Sequence, residues 1–212
     1  TKFGCSTTAV GLLGNLACIV FYAWYANNKD TRIGTSIGAN ASVAGVSVDA
    51  RYTSVDQEAV ATQDSKLTKV LASTKVGGLT LIAGAAVTNK VSTTQATAAT
   101  GVTLDGDNDS KSDFKVWQAS VGGLSDATAL LIGASMEVIP GLTADLRYVT
   151  VGSKTVAATP VDVDTTEMLL MATYAMSKNF AVQARYSELN QETNNVKGTE
   201  KSKGRLEVKY TF

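Results

Sequence analysis

The end of the chain restricts its possible folds more than any other stretch. In the run Gly204–Phe212, Leu206, Val208, Tyr210 and Phe212 fall on one face of a period-two strand, and Arg205, Glu207, Lys209 and Thr211 on the other. A strand of a transmembrane β-barrel has this form: lipid covers one face, water covers the other, and aromatics sit at the interface. A soluble antiparallel sheet with one wet face also alternates and stands as the alternative.

Three earlier segments repeat the pattern. In Val46–Thr53, the residues Val46, Val48, Ala50 and Tyr52 oppose Asp49 and Arg51. In Leu142–Tyr148, the residues Leu142, Ala144, Leu146 and Tyr148 oppose Asp145 and Arg147, and in Phe180–Tyr186 the polar side carries Gln183 and Arg185. Each has a basic residue directly before a Tyr, as Lys209 precedes Tyr210. A spanning strand needs about 9–11 residues, which these segments approach. Parity assigns Asp49, Arg51, Asp145, Arg147, Gln183, Arg185, Arg205, Glu207 and Lys209 to the water-facing side as candidate pore-lining residues. Basic side chains facing carboxylates there would set up a transverse field that orients small polar solutes. The bland alternative is a packed lumen in which these charges neutralise one another. Tyr52, Tyr148, Tyr186, Tyr210 and Phe212 would form the membrane-interface aromatics.

Turn chemistry alternates between short and long connections. Short ones are expected at Asn40-Ala41-Ser42, Val76-Gly77-Gly78, Pro140-Gly141 and Ser177-Lys178-Asn179. Long polar ones are expected at Val55–Ser65, Lys90–Asp113 and beyond, Gly152–Thr165 and Leu189–Ser202. Short turns at one end and long loops at the other match the outer-membrane arrangement. The strands fall at 16–26, 32–40, 44–55, 66–76, 79–90, 126–139, 142–152, 166–176, 179–190 and 203–212. About ten strands enclose little beyond side chains, whereas roughly sixteen or more leave an aqueous channel. Open edges in lipid would expose unpaired backbone groups. The expectation is therefore an all-β, transmembrane, antiparallel up-and-down barrel. Residues 1–212 would either close on themselves as a single barrel domain or be the C-terminal portion of a larger barrel, of about 16–18 strands where it leaves an aqueous channel.

The stretch 90–125 is too long for an ordinary connection, and loops of that size are usually functional. It is expected to fold inward as a constriction, with Asp105, Asp107, Asp109, Asp113, Lys115 and Trp117 as its candidate residues. The spacing of Asp105, Asp107 and Asp109 imitates the start of an EF-hand. However, Ser110 stands where Gly is required, and Val116 where the bidentate Glu belongs. A solvated acidic loop is the first reading, and a loose divalent-cation (Ca2+) site at those three aspartates the weaker one. No other cofactor is expected.

Composition excludes several functions. The 19 basic residues balance 19 acidic ones, which gives no reason to expect a nucleic-acid partner. His is absent, so every imidazole-based triad and the commonest metal ligand are missing. No Ser-Lys or Asp-Ser pair stands at a telling spacing, and no enzyme is expected. Cys5 and Cys18 match no metal motif and are either bridged or buried thiols.

The chain carries no charge from Phe3 to Asn28. Leu12–Tyr25 reads as a spanning helix or a secretion-signal core by hydropathy. The β-branched and aromatic run Ile19–Tyr25 instead favours a strand at 16–26, apolar on both faces. No signal peptide is evident, and the chain is expected to be mature or truncated.

The endings Asp-Ala-Arg-Tyr (49–52), Asp-Leu-Arg-Tyr (145–148), Gln-Ala-Arg-Tyr (183–186) and the terminal Leu-Glu-Val-Lys-Tyr-Thr-Phe resemble the carboxyl-terminal half of the major outer membrane porins of Campylobacter-like bacteria. The strand Phe21–Tyr25 and the long acidic loop before Trp117 follow the same order of elements. The resemblance implies a general-diffusion, mildly cation-preferring homotrimer in the bacterial outer membrane. It would pass small hydrophilic solutes and ions, with the lipid bilayer as its surroundings. It also implies that Phe212 is the recognition end for insertion machinery. The alternative is a non-conducting outer-membrane structural or adhesion barrel whose loops bind partners.

Overall fold

The computed structural model describes residues 7–16, 19–28, 32–56, 65–90, 114–155 and 159–211. They form one sheet of eleven strands in which each strand pairs with the next in sequence. In order, these are β1 (Thr7–Leu16), β2 (Ile19–Asn28), β3 (Arg32–Val43), β4 (Val46–Asp56), β5 (Ser65–Val76) and β6 (Leu79–Thr88). They continue as β7 (Thr128–Ile139), β8 (Leu142–Lys154), β9 (Asp162–Ser177), β10 (Phe180–Thr193) and β11 (Val196–Tyr210). Every pairing is antiparallel. The architecture is the expected all-β, up-and-down one. Among the described residues β1 pairs only with β2 and β11 only with β10, so the sheet is not closed.

Three local expectations change. The apolar run Leu12–Tyr25 is not a helix but lies in the paired strands β1 and β2, and the strand expected at 16–26 is β2, Ile19–Asn28. Its register sets Gly11 opposite Trp24 and Gly14 opposite Phe21. A hydropathy window averages over both strands and cannot see the reversal. The turn expected at Asn40-Ala41-Ser42 lies at Ala44-Gly45, both with positive φ, and Ala41 and Ser42 stay paired with Val48 and Ser47. The polar stretch Leu189–Ser202 is no long loop: β10 and β11 continue through it to a two-residue turn at Asn194-Asn195. Both asparagines have positive φ, the geometry of a type I′ hairpin, which Asn adopts more readily than other non-glycine residues.

Residue parity sorts the two faces of the sheet. One face exposes Val70, Leu81, Leu130, Ile132, Leu146, Leu170, Leu206 and Val208, with Ile132 at 63% and Leu206 at 72%. A contiguous apolar belt of this kind has no place on a water-facing surface. The opposite face holds a core of Val55, Leu67, Ala86, Ala129, Leu131, Val149, Val151 and Leu189, covered by Phe114, Ala119 and Val121 from the connection between β6 and β7. The core thus lies between the strand wall and a segment folded across its inner face.

Candidate functional site

The charged residues opposite each Tyr all share the inner face. On β4, Asp49 and Arg51 meet Tyr22 of β2. The Tyr22 hydroxyl donates to Asp49 Oδ2 at 3.1 Å, Arg51 Nε donates to the same hydroxyl at 3.2 Å, and the guanidinium lies 4.5 Å from the ring centroid. The ring fits because its cross-strand neighbour is Gly38: a Cβ there would come within 2.2 Å of Tyr22 Cε2. On β8, Arg147 grips Asp145 through two bonds of 2.9 and 3.0 Å, the paired geometry that strengthens charge-assisted bonds. On β10 and β11, Glu207 lies 3.1 Å from Arg205 and 3.6 Å from Arg185. Gln183 accepts from Arg185 Nε and donates to Thr173 Oγ1 at 2.9 Å. Lys209 continues the inner row of β11.

The sequence reading missed the most buried of the inner-face charges, Glu167 of β9, which is 0% exposed. Its carboxylate accepts backbone N–H bonds from Trp117 (3.2 Å), Gln118 (3.0 and 2.9 Å) and Ala119 (2.7 Å). A buried carboxylate without partners is strongly unfavourable, and these peptide donors supply its partners. The donating segment is a small hairpin: Val116 N–H donates to Ala119 O and Val121 N–H to Phe114 O, both at 3.1 Å. Two further contacts hold it to the same wall. Gln118 Nε2 donates to Ser187 Oγ of β10 at 2.6 Å, and Lys203 Nζ of β11 sits 4.7 Å from the Trp117 ring centroid. A cavity of about 340 Å³ flanks the hairpin, lined among others by Asp49, Leu71, Phe114, Lys115, Leu131 and Arg147.

Tyr52, Tyr148, Tyr186 and Tyr210 all stand exposed on the apolar face, but not in one belt. Tyr52, Tyr148 and Tyr186 each close an apolar outward series, and the next outward residues are Ser54, Thr150 and Glu188. Tyr210 pairs with Phe180 at the opposite end of the sheet, beside the short turns. Lys115 and Trp117 belong to the inward hairpin. Asp105, Asp107, Asp109, Asp113, Phe212, Cys5 and Cys18 lie outside the described residues. Among the described residues no group of three or more His, Cys, Asp or Glu is placed to hold a metal ion.

No protein-family model matches the chain, and no curated protein does. Solved structures do. Pseudomonas aeruginosa OccK10 (OpdN) is 17% identical with a TM-score of 0.78, over 97% of this chain and 61% of that one. Pseudomonas aeruginosa OpdQ is 16% identical with a TM-score of 0.77, over 96% and 56%. Acinetobacter baumannii OccAB4 is 17% identical with a TM-score of 0.72, over 96% and 52%. These neighbours are outer membrane porins. At such identities the likeness establishes the fold alone, which is that of outer-membrane porin barrels. The chain spans between 52% and 61% of the length of these structures.

Proposed function

We propose that the chain forms part of the wall, and the inward loop, of a passive outer-membrane porin in a bacterium. The porin passes small hydrophilic solutes and ions through a water-filled lumen lined by Asp49, Arg51, Asp145, Arg147, Gln183, Arg185, Arg205, Glu207 and Lys209. One observation carries the reading: apolar side chains cover one face of the sheet while charged ones share the other, which also carries a folded-in segment. Lipid against the first face and water against the second satisfies both. The 114–125 segment is the constriction. Tyr52, Tyr148 and Tyr186 anchor at one membrane interface and Tyr210 at the other. No bond is made or broken, so no catalytic group is required.

The general-diffusion character, the trimer and the kinship with porins of Campylobacter-like bacteria belong to the proposal and rest on the sequence resemblance. The aromatic arm Phe21–Tyr25 is where neighbouring subunits would meet. A second reading keeps one observation in its favour. The apolar cluster around Phe114 and Val121 is what a lumen packed shut would contain, as in a structural or adhesion barrel.

Planar-bilayer recording of the purified protein separates the two readings. Steady ohmic current steps are the expected result. Silence from barrels that migrate as folded protein would overturn the porin reading in favour of the structural one.

A further inference from the structure

The inner-face carboxylate of Glu167 turns its acceptors to peptide N–H groups of the folded-in segment. Glu167 is buried on the inner face of β9, and the tip of the 114–121 hairpin turns successive amides toward it. Such a concave set of N–H groups favours an anion. The pairing reaches across 48 to 50 positions of sequence, so no local folding preference holds the tip there. Gln118 to Ser187 and Trp117 to Lys203 are further ties of the tip, each a single contact through a flexible side chain, beside the burial of Phe114, Ala119 and Val121 against the wall.

We propose that Glu167 is the positioning residue of the channel's constriction: its carboxylate pins the Trp117–Ala119 tip against β9–β11 and so keeps the tip out of the solute path. The inference rests on the porin reading and adds to it the device that determines how steadily the channel stays open. With the carboxylate removed, the amides of the tip lose their fixed acceptor. The tip then samples positions across the lumen, and the current shows this as transient closures. Glu167→Gln is the informative change, because it keeps the shape of the side chain but replaces one acceptor oxygen with an amide that donates toward donors.

The test combines single-channel recording with amide hydrogen exchange on the full protein in bilayer or detergent. In recordings, Glu167→Gln and Glu167→Ala raise the frequency of brief closures several-fold in barrels that keep the folded migration of the wild type. Glu167→Asp, which restores the charge on a shorter arm, falls between. Glu188→Gln, on the apolar face and outside the lumen, leaves closures at the wild-type frequency. In the wild type the amides of 117–119 exchange slowly, and in Glu167→Gln they exchange quickly. Unchanged closures in folded Glu167→Gln barrels, equal closures in Glu188→Gln, or fast exchange at 117–119 in the wild type would each overturn the inference. A wild type that conducts nothing yet protects these amides would instead sink the porin reading and leave the pinning intact.

Discussion

At the scale of single residues, Tyr22 and Gly38 show how one side chain depends on the absence of another. The Tyr22 ring occupies the space that a Cβ at position 38 would fill, and from there it links Asp49 to Arg51. Gly38→Ala should therefore cost about 1–3 kcal/mol, the range for overpacking, in urea unfolding from vesicles. Tyr22→Phe, which removes only the bridging hydroxyl, should cost about 1 kcal/mol. Combining Gly38→Ala with Tyr22→Ala should largely abolish the penalty at 38, since the clash needs both groups. Asp49 and Arg51 were readable from their parity with Tyr52, because alternation is a property of adjacent residues. Their partner Tyr22 was not, because it lies 27 and 29 positions away.

At the scale of elements, β10 and β11 correct the most misleading part of the sequence. The stretch Leu189–Ser202 is polar and looks like a loop, yet it pairs residue by residue up to Asn194-Asn195. A strand that rises beyond the apolar belt needs no apolar face, so composition stops marking it while the ladder of backbone bonds continues. Two predictions follow from this geometry. Asn195→Val, a β-branched residue at a φ of 61°, should destabilise the hairpin by about 1–2 kcal/mol, whereas Asn195→Gly should be neutral or slightly stabilising. Depth also matters on the outer face. Leu170→Arg, in the apolar series, should cost about 2–4 kcal/mol in vesicle refolding equilibria, while Asn190→Arg, beyond Tyr186, should cost about 0–1 kcal/mol.

At the scale of the whole molecule, the charge balance of the sequence conceals a sorted interior. The chain is neutral overall, with 19 basic and 19 acidic residues. Yet the inner rows of β10 and β11 place Arg185, Lys201, Lys203, Arg205 and Lys209 against Glu207 alone in their middle and lower reach. An excess of fixed positive charge in a narrow lumen concentrates anions. Within the proposed lumen these rows should therefore set ion preference in part, read as the reversal potential across a potassium chloride gradient. Lys203→Glu with Lys209→Glu should move the potential toward cations, and raising the salt should shrink the difference as the charges are screened.

The alternation of faces, the sheet class and the shared inner face of Asp49, Arg147 and Arg205 followed from the sequence by itself, because side chains along a strand switch sides every residue wherever the strand is placed. The seat of the Trp117–Ala119 tip on Glu167, the fit of Tyr22 over Gly38 and the split of the tyrosines between two rims were decided only by tertiary structure. Each joins positions far apart in the chain, and such contacts depend on strand register and loop path, which leave no periodic trace in the residues themselves.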